Sequence, residues 1–239
     1  MKRGATRQLE DLMIRYRDLI TVPVADNGEP MVVLDPSVIA SGYLPEMSDM
    51  MSILKNKIVV RASIVRMLEN AQKRLKKTNK THTLYVTYGY RSLEVQTAIF
   101  RDITSKIARE RFFPDPSDLY EEVHRFIAVP TVAGHPTGGA VDVTIRDASD
   151  RRIDFGSTLY DFSSKDCYVY SGNISRQAQR NRLLLRRCMM AAGFAPFDGE
   201  WWHFSYGDRE WAQYYKKPNA LYAQLSVSQV KSNLLQSVL

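Results

Sequence analysis

An amphipathic helix followed directly by a strand is the sequence feature that most limits what this chain can fold into. Between Val59 and Lys77 apolar residues recur at helical spacing, with charged residues on the opposite face. The apolar positions are Val60, Ile64, Leu68, Ala71 and Leu75, and the charged positions are Arg61, Glu69, Lys73 and Lys76. The segment TLYVTYGY (83–90) that follows is rich in β-branched and aromatic residues and predicts a strand. A helix with one apolar face beside a short strand indicates packing of helix on sheet.

The remaining segments extend this pattern. Helical patterns cover residues 7–20, 93–111, 119–128 and 175–192, and the last of these ends at Gly193, a typical residue after a helix. GAVDVTIRD (139–147) alternates like a strand, DRRIDFG (150–156) has the pattern of its hairpin return, and WWHFSYGD (201–208) predicts a further strand. The sequence therefore predicts an α+β fold with a small central antiparallel sheet and helices packed around it.

Charge and composition narrow the class of protein. The chain of 239 residues carries a net charge of +7, but its basic residues are dispersed, which favours solvated helix faces over a nucleic-acid surface. No run of about 18 apolar residues is present, so we expect no membrane span. The N-terminal twenty residues have no apolar core of a signal peptide, and two cysteines make no disulfide framework. We expect a cytoplasmic protein of one domain that binds neither nucleic acid nor membrane, and its oligomeric state is left open.

Four histidines occur in the chain, and two of them have neighbours that suit chemistry. His135 lies in a glycine-rich loop that leads into the strand carrying Asp142, and His203 follows Glu200 by three residues. Two histidines and one carboxylate are the ligand set of a catalytic zinc, whose bound water has a pKa near 7 and can lose its proton to a nearby glutamate. Taken singly, each residue is better explained by a turn, a salt bridge or a solvent-facing edge, and only the two segments together favour a shared metal. The other two histidines, His82 and His124, are expected at the surface.

Three ordered motifs resemble the D-alanyl-D-alanine dipeptidases, the VanX-like zinc metallopeptidases. GHPTGGAVDVT (134–144) resembles their HxxGxAxD motif, GEWWHFSYGD (199–208) their ExWH motif, and GYRSLEVQ (89–96) their GYRPxxxQ segment. The resemblance extends from about residue 61 to residue 215. It implies a fold like that of the hedgehog and D-Ala-D-Ala peptidase domains, with a zinc site at the sheet.

The resemblance also implies roles for single residues. His135, Asp142 and His203 would hold one Zn²⁺ per chain, and Glu200 would be the catalytic base that later protonates the leaving amine. Arg91 would stabilise the oxyanion, a role that suits a guanidinium in a dry site. Asp161, in DFGSTLYDF (154–162), is similar to the aspartate that holds the substrate's amino group, although its spacing is one residue longer and a capping role suits it equally.

The resemblance divides the domain into a segment of about residues 1–55 that extends or lines the pocket, a catalytic core of about 56–215, and a helical tail of about 216–239. Ala133 stands where the family's motif often has serine, which removes a hydroxyl contact with substrate. The implied function is hydrolysis of D-Ala-D-Ala or a related D-amino-acid dipeptide, in peptidoglycan metabolism. Two alternatives remain open: a D,D- or L,D-carboxypeptidase or endopeptidase acting on longer peptidoglycan peptides, and a non-catalytic zinc-fold binding protein.

Overall fold

The computed structural model describes residues 13–236, and its centre is a four-stranded antiparallel sheet. Its strands are β3 (Thr83–Tyr88), β4 (Ala140–Arg146), β5 (Ala195–Pro196) and β6 (His203–Ser205). In spatial order they are β3, β4, β6 and β5. Every residue of β4 except the last is buried, as expected for a strand with neighbours on both sides and packing on both faces.

A second, two-stranded sheet pairs β1 (Met31–Val33) with β2 (Val59–Arg61). The helix predicted from Val59 therefore begins three residues later. Val59 and Val60 are β-branched and fully buried, and their pairing with β1 outweighs the helical pattern that they continue. Arg61 keeps extended backbone angles and directly precedes the helix.

Helices surround the two sheets. Their bounds are α1 Tyr16–Leu19, α2 Met51–Leu54, α3 Ala62–Thr78, α4 Leu93–Glu110, α5 Pro116–His124, α6 Arg176–Met190, α7 Arg209–Tyr214 and α8 Val227–Gln236. Side-chain oxygens cap the N-termini of α4, α6 and α7: those of Ser92, Ser175 and Asp208 accept backbone N–H bonds from the residue three positions on. Gly193 follows α6 with a φ of 102°, as predicted for a residue after a helix.

Some predicted elements are shorter than expected. Of the first helical pattern, residues 7–12 lie outside the described residues and only Tyr16–Leu19 is helical in the rest. The predicted hairpin return of β4 is a single bridge between Arg146 and Arg152, because the Asp147 carboxylate accepts two backbone N–H bonds and closes a turn there. In the predicted helical tail, residues 216–226 are not helical, and α8 begins only at Val227.

The main hydrophobic core lies between the four-stranded sheet and helices α3 and α6. Ile64, Leu68 and Leu75 of α3 and Leu185 of α6 are buried in it, as the helical spacing of α3 predicts. A smaller cluster, which includes Phe100 of α4 and Val123 of α5, lies beside it. Within residues 13–236, no helix combines the length and the apolar character that crossing a membrane requires.

Candidate metal centre and active site

The register of the central sheet brings two of the predicted ligands together. Asp142 of β4 lies directly opposite His203 of β6, and on its other side it lies opposite Tyr88 of β3. Residues opposite each other in an antiparallel pair project their side chains to the same face. The Asp142 Oδ1 is 3.1 Å from Nδ1 of His203 as a result.

His135 reaches the same place from a short 3-10 turn, His135–Thr137, that precedes β4. The turn ends at Gly138, whose φ of 75° lies in the left-handed region that glycine adopts without strain. The turn places Nε2 of His135 3.5 Å from Oδ1 of Asp142. Its Nδ1 lies 2.7 Å from the carbonyl oxygen of Gly89 and donates a hydrogen bond to it, which leaves the Nε2 lone pair directed at the cluster.

The cluster fits a single zinc ion. One ligand atom from each of His135, Asp142 and His203 lies within 4.8 Å of the others, and all three residues are buried. Ligand atoms bound tetrahedrally at about 2.0–2.1 Å from zinc are themselves about 3.3 Å apart. The two measured separations, 3.5 Å and 3.1 Å, match that spacing. Burial alone would raise the pKa of Asp142, but the two imidazoles outweigh it and lower that pKa, which keeps the carboxylate ionised.

Glu210 is a residue of this site that the sequence patterns did not single out. It lies on α7, is buried, and places Oε2 3.2 Å from Nε2 of His203, on the far side of that ring from Asp142. The contact is an ion-pair contact rather than a well-aligned hydrogen bond. Burial lowers the pKa of His203, but Glu210 and Asp142 outweigh it and leave that pKa well raised.

A carboxylate behind a ligating histidine is a recurrent feature of metal sites, because it holds the proton on the nitrogen that faces away from the metal. The carbonyl of Gly89 orients His135 through a hydrogen bond, and Glu210 supports His203 through a close ion-pair contact. No spacing rule identifies Glu210, since it is seven residues beyond His203, across a turn that only the fold defines.

Glu200 lines the cavity that also contains the three candidate ligands. Burial raises the pKa of Glu200 to about 7, with the Asp142 and Glu210 carboxylates adding to the effect and His203 and Arg91 opposing it. A carboxyl group that titrates near neutral pH is suited both to accept and to return a proton.

Arg91 lines the same cavity and is held firmly in place. Its Nε donates to the Tyr88 hydroxyl at 3.1 Å and lies 3.4 Å from Oδ2 of Asp49, and its Nη1 donates to Gln96 at 3.0 Å. Burial lowers the pKa of Arg91, but Tyr88 and Asp49 outweigh it and leave that pKa raised, so the guanidinium stays charged. These contacts use Nε and Nη1, and among the described residues Nη2 has no protein partner.

Two other predictions from the sequence have different outcomes. The Asp161 carboxylate accepts hydrogen bonds from the backbone and hydroxyl of Ser163, and it is not among the described residues that line the cavity, so its contact with substrate stays a prediction. The expectation that His124 lies at the surface is wrong: this histidine is buried and lines the cavity, because its Nδ1 accepts the backbone N–H of Val129 at 3.1 Å and the chain folds over it.

The cavity has a volume of about 430 Å³ and extends well beyond the cluster. Its polar lining includes the metal-site residues, Glu200 and Arg91, and also Gln96, Lys106, His124 and Tyr160; Ala133 lies in the lining with Gly134 and His135. Volumes of this order are typical of small-molecule sites. The fold and the site together define an α+β protein with a candidate mononuclear metal centre open to a ligand-sized cavity.

Comparison with known proteins identifies the family. The chain belongs to the peptidase family M15, described as D-ala-D-ala dipeptidase, whose model matches residues 53–220, and it is accordingly a peptidase. It is 27% identical over 224 residues to the D-alanyl-D-alanine dipeptidase of Synechocystis sp., a match that covers 83% of this chain and 90% of the relative. A second relative, the D-alanyl-D-alanine dipeptidase of Escherichia coli, is 34% identical over 91 residues, covering 38% of this chain and 43% of the relative.

The solved structures that match this chain have lower sequence identity. The LdcB LD-carboxypeptidase has a TM-score of 0.44 and 17% identity, over 88% of this chain and 80% of that one. VanYB, solved in complex with D-alanine-D-alanine, has a TM-score of 0.42 and 16% identity, over 90% of this chain and 98% of that one.

Proposed function

We propose that this protein is a zinc-dependent dipeptidase that hydrolyses D-Ala-D-Ala or a related dipeptide of D-amino acids. The observation that carries the proposal is the buried cluster of His135, Asp142 and His203, with Glu200 and Arg91 lining the same cavity. The dipeptidase activity in the name of the Synechocystis sp. relative supports the choice of substrate.

The residues of the cluster divide into ligands and their supports. His135 through Nε2, His203 through Nδ1 and Asp142 through its carboxylate would hold zinc, one ion per chain. When bound, zinc supplies Lewis acidity that makes a water molecule easier to deprotonate and a carbonyl carbon easier to attack. The Gly89 carbonyl and Glu210 contact the other nitrogens of the two imidazoles and would keep their ligand nitrogens available to the ion.

Glu200 moves the proton in this scheme. Its carboxylate takes one proton from the attacking water while the water oxygen bonds to the scissile carbonyl carbon. The carboxylic acid so formed then gives the same proton to the amide nitrogen as the C–N bond breaks. The second proton of the water leaves the new carboxyl group for the released amine. The products are therefore a carboxylate and an ammonium group, and Glu200 returns to its ionised form.

Arg91 stabilises the negative charge that develops on the carbonyl oxygen. Its ion pair with Asp49 and its bond to Gln96 fix the guanidinium before substrate arrives, so that little reorganisation is needed during the reaction. A preorganised donor of this kind is worth about 3 kcal/mol of transition-state stabilisation.

The test is a measurement of zinc content and hydrolysis on the full-length chain. We expect purified wild-type protein to bind one zinc ion and to cleave D-Ala-D-Ala, and we expect Glu200→Ala to bind zinc equally well without turnover. Longer peptidoglycan peptides serve as comparison substrates, and preferential cleavage of those would favour a carboxypeptidase instead. Wild-type protein that holds no metal at neutral pH, or a fully active Glu200→Ala, would refute the mechanism.

A further inference from the structure

One wall of the cavity is made of apolar side chains from helix α4. Ile99, Ile103 and Ile107 follow one another at intervals of four residues, so they lie on one face of the helix, and all three line the cavity. They are half-buried, whereas Phe100 of the same helix is buried in the smaller hydrophobic cluster. The isoleucine face is therefore only partly covered by the protein itself.

Further apolar side chains complete this wall. They come from four separate parts of the chain: Met47, the segment 126–128, Phe162 and Phe197. Phe126 is 39% exposed, although large apolar side chains are usually covered in a folded protein. We refer to these residues and the three isoleucines together as the apolar wall.

The apolar wall and the catalytic groups belong to one continuous cavity. The candidate metal ligands, Glu200 and Arg91 lie in the same space of about 430 Å³. A ligand held at the metal centre can therefore extend a side chain onto the wall without leaving the site. A dipeptide of two alanines carries only methyl groups and would cover little of that surface.

The surroundings of the apolar wall favour an apolar side chain over a polar or charged one. Lys106 also lines the cavity, and its Nζ already lies 2.7 Å from Oδ2 of Asp102. A polar or charged side chain placed against the apolar wall would lose water without gaining a partner from the wall residues themselves. Ala133, buried beside His135, also offers no hydroxyl.

We infer that the apolar wall is a subsite for a large apolar side chain, so that the protein prefers dipeptides in which one D-residue has the size of leucine or phenylalanine. The inference rests on the proposed dipeptidase function and names its substrate class. Moving a leucine or phenylalanine side chain from water onto such a wall predicts a gain of about tenfold or more in kcat/KM over the alanine dipeptide.

The experiment compares dipeptides on the zinc-loaded, full-length protein. The substrates are D-Ala-D-Ala, D-Ala-D-Leu, D-Leu-D-Ala, D-Ala-D-Phe and the polar analogue D-Ala-D-Gln. We expect at least one leucine or phenylalanine dipeptide to exceed D-Ala-D-Ala about tenfold in kcat/KM, and D-Ala-D-Gln to show no such gain. Hydrolysis of D-Ala-D-Ala at an equal or higher kcat/KM than every apolar dipeptide overturns the subsite and leaves the dipeptidase function intact. No hydrolysis of any of these dipeptides overturns both.

Ile99→Asn tests the wall itself, because this residue lies outside the buried clusters and the new side chain is polar. The readout is the ratio of kcat/KM for the preferred apolar dipeptide to that for D-Ala-D-Ala, which does not depend on the amount of active protein. We expect the ratio to fall about tenfold in Ile99→Asn and to stay unchanged in Arg101→Asn, a control at an exposed position of the same helix. An unchanged ratio in Ile99→Asn overturns the inference.

Discussion

His203 lies between the carboxylates of Asp142 and Glu210, and its contact with Glu210 connects the candidate metal site to helix α7. Nε2 of His203 is 3.2 Å from Oε2 of Glu210, and Nδ1 of the same ring is 3.1 Å from Oδ1 of Asp142. Nδ1 of the ring therefore faces the candidate metal ligand Asp142, and Nε2 faces Glu210. A histidine so placed keeps its orientation before the metal binds.

Removing the charge of Glu210 should weaken zinc binding. We expect Glu210→Gln to lower zinc affinity about 10- to 100-fold, because the amide holds the Nε2 proton of His203 less strongly than the carboxylate does. Competition with a chromogenic chelator on folded, metal-free protein measures the affinity without reference to activity. Asp208→Asn is the control, since Asp208 is a buried neighbour whose Oδ1 caps α7 and Asn can keep that bond. Equal affinities in wild type and Glu210→Gln would show that Glu210 does not support the site.

Removing the central carboxylate should abolish zinc binding. Asp142 Oδ1 contacts both histidines, and two imidazoles alone hold zinc poorly, so we expect Asp142→Ala to retain almost no zinc after dialysis against metal-free buffer. Metal content per chain, measured by atomic spectroscopy, decides the question. Asp147→Ala is the matched control, because this aspartate lies just past the same strand and contacts Arg151 instead. Unchanged zinc in Asp142→Ala would remove Asp142 from the ligand set.

The parts of this molecule that follow from local patterns could be predicted from the sequence. Helix α3, with its apolar face, and strand β4, with its alternation, form as expected. The register of β4 with β6 then brings Asp142 to His203. The three motifs indicated the residues that the structure gathers around one cavity.

Features that depend on distant parts of the chain could not be predicted in this way. Val59 and Val60 continue the helical pattern of α3 but pair with β1, a strand almost thirty residues away. Glu210 acquires its partner only through the turn between β6 and α7, and His124 packs against Tyr16 of α1, whose ring centroid lies 6.2 Å away. In each case a tertiary contact, rather than a local preference, determines the outcome.

The proton acceptor should set the acidic limb of the pH profile. Glu200 must be ionised to take a proton from water, so activity is lost as the pH falls below the pKa of Glu200. Burial raises that pKa to about 7 in the metal-free protein, and a cation nearby favours the carboxylate and lowers it. We therefore expect kcat/KM of the zinc-loaded enzyme to rise with pH through a midpoint between about 4.5 and 7. A profile that stays flat down to pH 4 at constant zinc occupancy would exclude Glu200 as the base.

The last prediction concerns the geometry of Arg91. Lysine keeps the positive charge, but its three N–H donors lie on one nitrogen of a flexible side chain. The planar guanidinium bonds Tyr88 through Nε and Gln96 through Nη1 and keeps Nη2 as a separate donor in a fixed direction. We expect Arg91→Lys to lower kcat about 10²- to 10³-fold, the usual effect of losing one oxyanion donor. Zinc content should be unchanged, because the Arg91 side chain forms no bond to a ligand side chain within the described residues. Arg101→Lys, at an exposed position of α4, is the control. Steady-state kinetics at equal zinc occupancy give the answer: if kcat in Arg91→Lys equals that of the wild type, charge alone is sufficient and the fixed guanidinium geometry has no catalytic role.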